Sequence, residues 1–174
     1  MRRVVVNASP LIHLSKAHAL RLLIAIFDEV LIPPAVYKEV VSRGLERGYE
    51  DAARVKRAVD QGEIVVRDAP SWRVKEVLDS FPKLDLGEAE VLALALELGV
   101  AVIVDEREAR LAARSLGLEY HGTILILVTA VRRGIISVRE ALELLDRLVS
   151  GGFRLSDELL RRAQEELRSL ARRR

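Results

Sequence analysis

Val4-Val5-Val6-Asn7-Ala8-Ser9-Pro10-Leu11-Ile12 opens the chain with a change of periodicity: three β-branched residues, a polar break, then serine and proline ahead of apolar residues. An unbroken apolar run is what a strand covered on both faces requires. Ser9-Pro10 reads as an N-cap followed by proline at the first helical position, opening a helix to about residue 27. A strand feeding directly into a helix is the unit of an α/β fold, and the unit recurs. Short β-branched runs at 3–6, 29–32, 64–67, 100–104 and 118–120 alternate with stretches of 3.6-residue apolar spacing. Strands separated by helical crossovers imply a parallel sheet with helices on both faces.

Further boundaries carry their own chemistry. Pro33-Pro34 ends the second strand and starts a helix to about residue 42, and 44–48, between two glycines, reads as a mobile connection. Asp85 caps a helix over 87–98 that Gly99 stops, and Ser137 with Glu140 matches a capping box before 141–149. Gly151-Gly152 breaks the chain before a last helix from Ser156 to about residue 171. Residues 70–82 carry no decisive signal. No repeat or long linker divides the 174 residues, so a single domain is expected over 1–174, with 156–174 as a C-terminal helix and basic tail.

Composition excludes several kinds of chemistry. With no cysteine there is no disulfide, zinc-thiolate site or cysteine nucleophile. The longest apolar run, 123–131, falls well short of the roughly 20 residues needed to cross a bilayer, and the apolar stretch at 4–6 is too short for a signal peptide. A cytoplasmic protein is expected. The net charge of +2 permits a nucleic-acid partner without requiring one.

In open parallel sheets, ligands bind beyond the carboxyl ends of the strands, where strand order reverses. Asn7 and Ser9 follow the first strand; Asp105 and Glu106 follow the fourth. If those strands are neighbours, Asn7 and Asp105 share one rim. Glu39, flanked by Val36, Val40 and Val41, and Glu88, in the first turn of its helix, can reach the same place. Gathered carboxylates repel one another and are costly to bury without a cation. Oxygen-only ligands favour Mg²⁺ or Mn²⁺ over zinc. Each residue also has a plainer use. Asn7 can bond loop amides, Glu88 can complement a helix dipole, Asp105 and Glu106 can start a helix, and Glu39 can face solvent. Arg107, Arg110 and Arg114 recur at helical spacing, suited either to RNA phosphates or to pairing with Glu106 and Glu108. His13 and His18, five apart, do not share a helix face as a metal pair would.

In order, the segments 4–12, 32–40 (Ile-Pro-Pro-Ala-Val-Tyr-Lys-Glu-Val), 84–90 (Leu-Asp-Leu-Gly-Glu-Ala-Glu), 102–107 (Val-Ile-Val-Asp-Glu-Arg) and 121–123 (His-Gly-Thr) resemble those of PIN-domain proteins. The branch is a prokaryotic PIN-like family related to the VapC toxins, and the resemblance covers nearly the whole chain. It implies a five-stranded parallel sheet in the order 3-2-1-4-5 and Mg²⁺- or Mn²⁺-dependent ribonuclease chemistry. By position, Glu39, Glu88 and Asp105 match three family acids. Glu106 is a one-residue alternative to Asp105, and Glu90 a weaker one to Glu88. Ser9 and Thr123 match hydroxyl positions bordering the site. Asn7 stands where the family usually has aspartate. An amide oxygen brings no charge, so the site holds one anion fewer and binds metal more weakly. Two functions are expected on these grounds. One is an endoribonuclease, with a small antitoxin and a second copy of the chain as partners. The other is a catalytically weakened module that binds RNA or protein.

Overall fold

The computed structural model describes residues 2–171; the tail at 172–174 lies outside the described residues. Five strands form one parallel sheet: β1 (Arg3–Val6), β2 (Glu29–Ile32), β3 (Ile64–Val66), β4 (Ala101–Ile103) and β5 (Tyr120–His121). Their order is β3-β2-β1-β4-β5, the order the resemblance implied. The β-branched runs sit at its centre, with Val4, Val5, Val6, Val102 and Ile103 fully buried. Val5 pairs with Leu31 on one side and Val102 on the other. The chain therefore builds outward from β1 to β3, crosses back over the sheet, and continues with β4 and β5. Strand order reverses between β1 and β4, where the Asn7 N–H donates to the Ile103 carbonyl at 3.0 Å and prolongs the ladder.

The crossovers supply the outer layers. α1 (Ala8–Lys16) packs on α5 (Glu50–Asp60), and α2 (Arg21–Ile26) on α9 (Thr123–Arg132). α7 (Leu86–Leu98) lies across β1 and β4, beside α6 (Ser71–Ser80) and α8 (Arg107–Ser115). α7 is buried at Gly87, Ala89, Leu92, Leu94 and Ala95 alike, as a helix enclosed on several sides must be. α10 (Val138–Ser150) and α11 (Asp157–Ala171) close the molecule. α11 lays Ala163 and Leu167 into the chain's own core and leaves Leu159 exposed. No helix among the described residues is long and apolar enough to cross a membrane.

Several expectations are corrected. The first helix is capped at Asn7, not Ser9, and Ser9 and Pro10 lie inside it. It does not run to residue 27: the chain breaks at Ala17–Leu20, with His18 at φ 57°. No proline or glycine marks that break; burial of Ala17, Ala19 and Leu20 against the core holds it. The second helix starts as α3 (Pro34–Tyr37), widens into a π-helical turn (Lys38–Ser42), and continues as α4 (Arg43–Glu46). The 44–48 segment, expected as a mobile link, is thus helical through Glu46. Gly44 is buried where α4 meets α5, so close that a Cβ there would stand 2.5 Å from the Ala52 Cβ. Only the turn at Gly48, φ 73°, separates the helices. The undecided stretch at 70–82 contains α6.

Candidate active site

The carboxyl ends of β1 and β4 emerge side by side, and the polar residues just past each strand meet there. Asn7 is only 4% exposed, and its side-chain Nδ2 donates to Glu106 Oε2 at 3.0 Å. This bond ties the end of β1 to the residue that caps α8. Asp105, one residue earlier, is gripped by α9: the Thr123 N–H donates to Oδ1 at 2.8 Å and the Thr123 hydroxyl to Oδ2 at 2.6 Å. The approach is close enough that a Cβ on Gly122 would lie 3.1 Å from Asp105 Oδ1.

Glu88 arrives from another direction. Asp85 and Glu88 form a capping box at the start of α7. The Glu88 N–H donates to Asp85 Oδ1 at 2.8 Å, and the Asp85 N–H donates to Glu88 Oε2 at 3.0 Å. Glu39 is carried by the π-helical turn, an irregularity often found where a helix aims a functional side chain. Its Oε2 lies 3.8 Å from where a Gly87 Cβ would stand, so Glu39 faces the first turn of α7.

Electrostatics show how these acids see one another. Burial, then repulsion from Asp85 and Glu106, holds the Glu39 carboxyl above the usual carboxylate range. Burial raises Glu88 as well, with Asp85, Glu106 and Glu39 adding repulsion against the lowering bond from the Asp85 backbone. Asp105 is raised by burial first and by Glu106 in addition, although the two Thr123 bonds and His13 pull it down. Glu106 is common to all three. Glu106, expected as a metal ligand and as a register alternative to Asp105, thus adds repulsion to Glu39, Glu88 and Asp105 alike.

The donor chemistry of this rim fits a hard divalent cation: carboxylate and amide oxygens, with burial and mutual repulsion disfavouring the unneutralised anions. Among the described residues no group of three or more His, Asp or Glu side chains stands close enough together to hold a metal ion by itself.

The remaining candidates separate clearly. Ser9 lines a cleft of about 400 Å³ together with His13, Asp105, Glu106 and the 152–154 segment. Thr123 is fully buried, so it supports Asp105 and does not border the cleft. Glu90 is engaged elsewhere, accepting the Ala35 N–H at 2.8 Å. Arg110 lines the groove beside Asp105, whereas Arg107 lines neither that groove nor the cleft. Two residues that sequence reasoning misses belong here. Asp85, legible in the sequence only as a cap, adds its charge to Glu39 and Glu88. His13 faces Asp105 and Glu106; burial lowers its pKa against their pull, and its Nδ1 is buried without a hydrogen-bond partner. The one signal in the sequence is its spacing of four from Ser9, which places both on one face of α1.

The raised carboxyls have a consequence for the metal-free protein. Folding favours their protonated forms, so their contribution to stability is whole below the ordinary carboxylate range and is lost as pH climbs through the raised values. His13 acts in the opposite sense, its contribution falling away as pH drops below about 6.5 through its lowered value. With three raised carboxyls set against one lowered histidine, melting in chelator is therefore expected to be higher at pH 5 than at pH 7. A melting temperature that climbs steadily from pH 5 to pH 8 would contradict this.

A short parallel sheet ordered 3-2-1-4-5, with carboxylates at its point of reversal, is the architecture of PIN domains. The chain belongs to that family: the PIN-domain family DUF3368 matches residues 3–169. Among solved structures it is similar to PAE2754 from Pyrobaculum aerophilum, with a TM-score of 0.54 and 18% identity. The match covers 74% of this chain and 97% of that one, a likeness of fold alone. No curated protein matches. PIN domains are generally metal-dependent nucleases.

Proposed function

We propose that this PIN domain is a metal-dependent endoribonuclease that hydrolyses RNA phosphodiesters at the rim between β1 and β4. What supports the reading is that Glu106, bonded to Asn7 and next in the chain to Asp105 at the switch point, adds its repulsion to Glu39, Glu88 and Asp105 alike, although these come from three distant segments. Glu39, Glu88, Asp105 and Glu106, with the Asn7 amide oxygen, would hold Mg²⁺ or Mn²⁺, which when bound supplies a counter-charge to the phosphodiester and an acidified water.

The protein's own groups do the positioning. Thr123 fixes both Asp105 oxygens, Asn7 orients Glu106, and the Asp85 N–H holds one oxygen of Glu88. Ser9 and His13 line the cleft together with Asp105 and Glu106, and a strand of RNA would lie against them. On the resemblance to VapC toxins, a small antitoxin and a second copy of the chain are the partners of this reading, in the cytoplasm.

Asn7 favours a second reading, a PIN module that binds RNA with little or no cleavage. It contributes no charge, and its amide N–H₂ is already bonded to Glu106. One experiment separates the two. Purified protein with Mn²⁺ and a single-stranded RNA is expected to yield new fragments, and none in excess chelator. RNA bound equally with and without metal, and left intact, would overturn the nuclease reading in favour of the second.

A further inference from the structure

The cleft lined by Asp105 and Glu106 does not end at these two acids. It continues past Asp105 into a groove of about 350 Å³ between α9 and α11, sharing Asp105, Phe153 and Arg154 with the cleft. Four charged side chains besides Asp105 line the groove, and two are committed elsewhere. Arg162 pairs with Glu158 on its own helix, and Glu166 pairs with Arg132 at 3.1 Å. Arg110 and Arg154, both exposed, form no ion pair among the described residues, so the groove carries two uncompensated guanidinium groups directly beside the acidic rim.

Arg154 is held in place by local sequence. Gly151-Gly152 ends α10, and Gly152 has φ 99°, a conformation that strains any residue with a Cβ. A Cβ on Gly151 would stand 3.0 Å from the Arg147 carbonyl. The turn drives Phe153 inward, where it is 7% exposed and meets the His13 ring edge-on, with centroids 5.1 Å apart. With Phe153 anchored on α1, the next residue has to stand at the mouth of the groove.

We propose that Arg110 and Arg154 form a phosphate-binding subsite that grips single-stranded RNA one or more nucleotides away from the bond at the acidic rim. The proposal rests on the nuclease reading for the direction of the strand but not for the binding itself. Guanidinium groups suit phosphate because their planar fork donates two parallel hydrogen bonds and keeps its charge at any working pH. A negative strand lying across carboxylates needs compensating cations nearby, and these two are the groove's free ones.

The test is binding of a labelled single-stranded RNA to the full chain in chelator, where cleavage does not intervene. Arg110→Ala and Arg154→Ala are each expected to weaken binding about 5–10-fold at moderate salt. Each should also reduce the slope of log K against log salt by about 0.7, the value for one phosphate contact on a single strand. The melting temperature should be unchanged, since both side chains are exposed, and Arg154→Lys should restore most of the salt slope. A double variant with unaltered affinity and slope overturns the subsite, whether or not the protein cleaves RNA. Loss of binding in the variants of a protein that never cleaves RNA sustains the subsite and sinks only the nuclease reading.

Discussion

Glu88→Gln is expected to slow RNA cleavage by roughly 10²–10³-fold, the scale on which loss of one preorganised electrostatic group acts, while leaving the metal-free fold intact and slightly more stable. Glutamine has the same shape and keeps a carbonyl oxygen to accept the Asp85 N–H, so the capping box survives. Only the charge goes. A carboxylate in the first turn of a helix gains about 0.3–1 kcal/mol from the helix dipole. Yet the Glu88 carboxyl is raised, not lowered, so burial and repulsion from Asp85, Glu106 and Glu39 outweigh that gain. Relieving them should add up to about 1 kcal/mol, equivalent to roughly 2–4 °C in a domain of this size. Initial cleavage rates with Mn²⁺ and melting curves in chelator check both halves. A variant that cuts as fast as the parent removes Glu88 from the mechanism; one that melts lower shows that its charge stabilises the fold.

Thr123→Val is expected to cost 10–100-fold in metal affinity or rate, the usual range when a group orienting a metal-binding residue is lost. Valine is close to threonine in shape and fits a fully buried position, so little packing changes. The loss is the 2.6 Å hydrogen bond to Asp105 Oδ2; the 2.8 Å bond from the backbone N–H to Oδ1 remains. Asp105 then has one lowering influence fewer and is displaced further toward its protonated, non-ligating form. Activity should recover at higher Mn²⁺, because the defect lies in holding Asp105 as an oriented anion. Thr123→Ser, which keeps the donor, should behave nearly as the parent. Equal losses in Val and Ser, unrelieved by metal, would assign Thr123 to packing alone.

Much of the fold is legible because local chemistry and tertiary environment agree. The run Val4-Val5-Val6 can only be a strand covered on both faces, and Asp85 with Glu88, and Ser137 with Glu140, mark helix starts that the structure keeps. Strand order is different. No local signal says that β4 returns beside β1, and that step depends on the resemblance to PIN domains. The misses fall where tertiary packing overrides local preference. The break at Ala17–Leu20 has no glycine or proline, and the π-helical turn at Lys38–Ser42 has no sequence signature, although it is what aims Glu39.

At the site, the position of Asn7, Asp105 and Glu106 directly after apolar strands marks them out in the sequence, but nothing there ranks the acids. The resemblance puts Glu106 behind Asp105, whereas in the structure it is Glu106 whose charge bears on Glu39, Glu88 and Asp105 alike. His13 makes no pair with His18, and its true company, Asp105 and Glu106, lies more than ninety residues away. Arg154 comes after a glycine pair that reads only as a helix stop, and its place in the groove depends on Phe153 finding His13.

Divalent metal binding tests the central claim most directly, read as melting temperature against Mn²⁺ at pH 7.5 for the parent and for Asp105→Asn. If the rim acids together hold one cation, Mn²⁺ at a hundred times its dissociation constant should stabilise the parent by about 2.7 kcal/mol, or roughly 5–10 °C. Asp105→Asn should lose most of that rise at the same metal concentration. A parent that melts alike in Mn²⁺ and in chelator, or a variant that responds as fully as the parent, would contradict it.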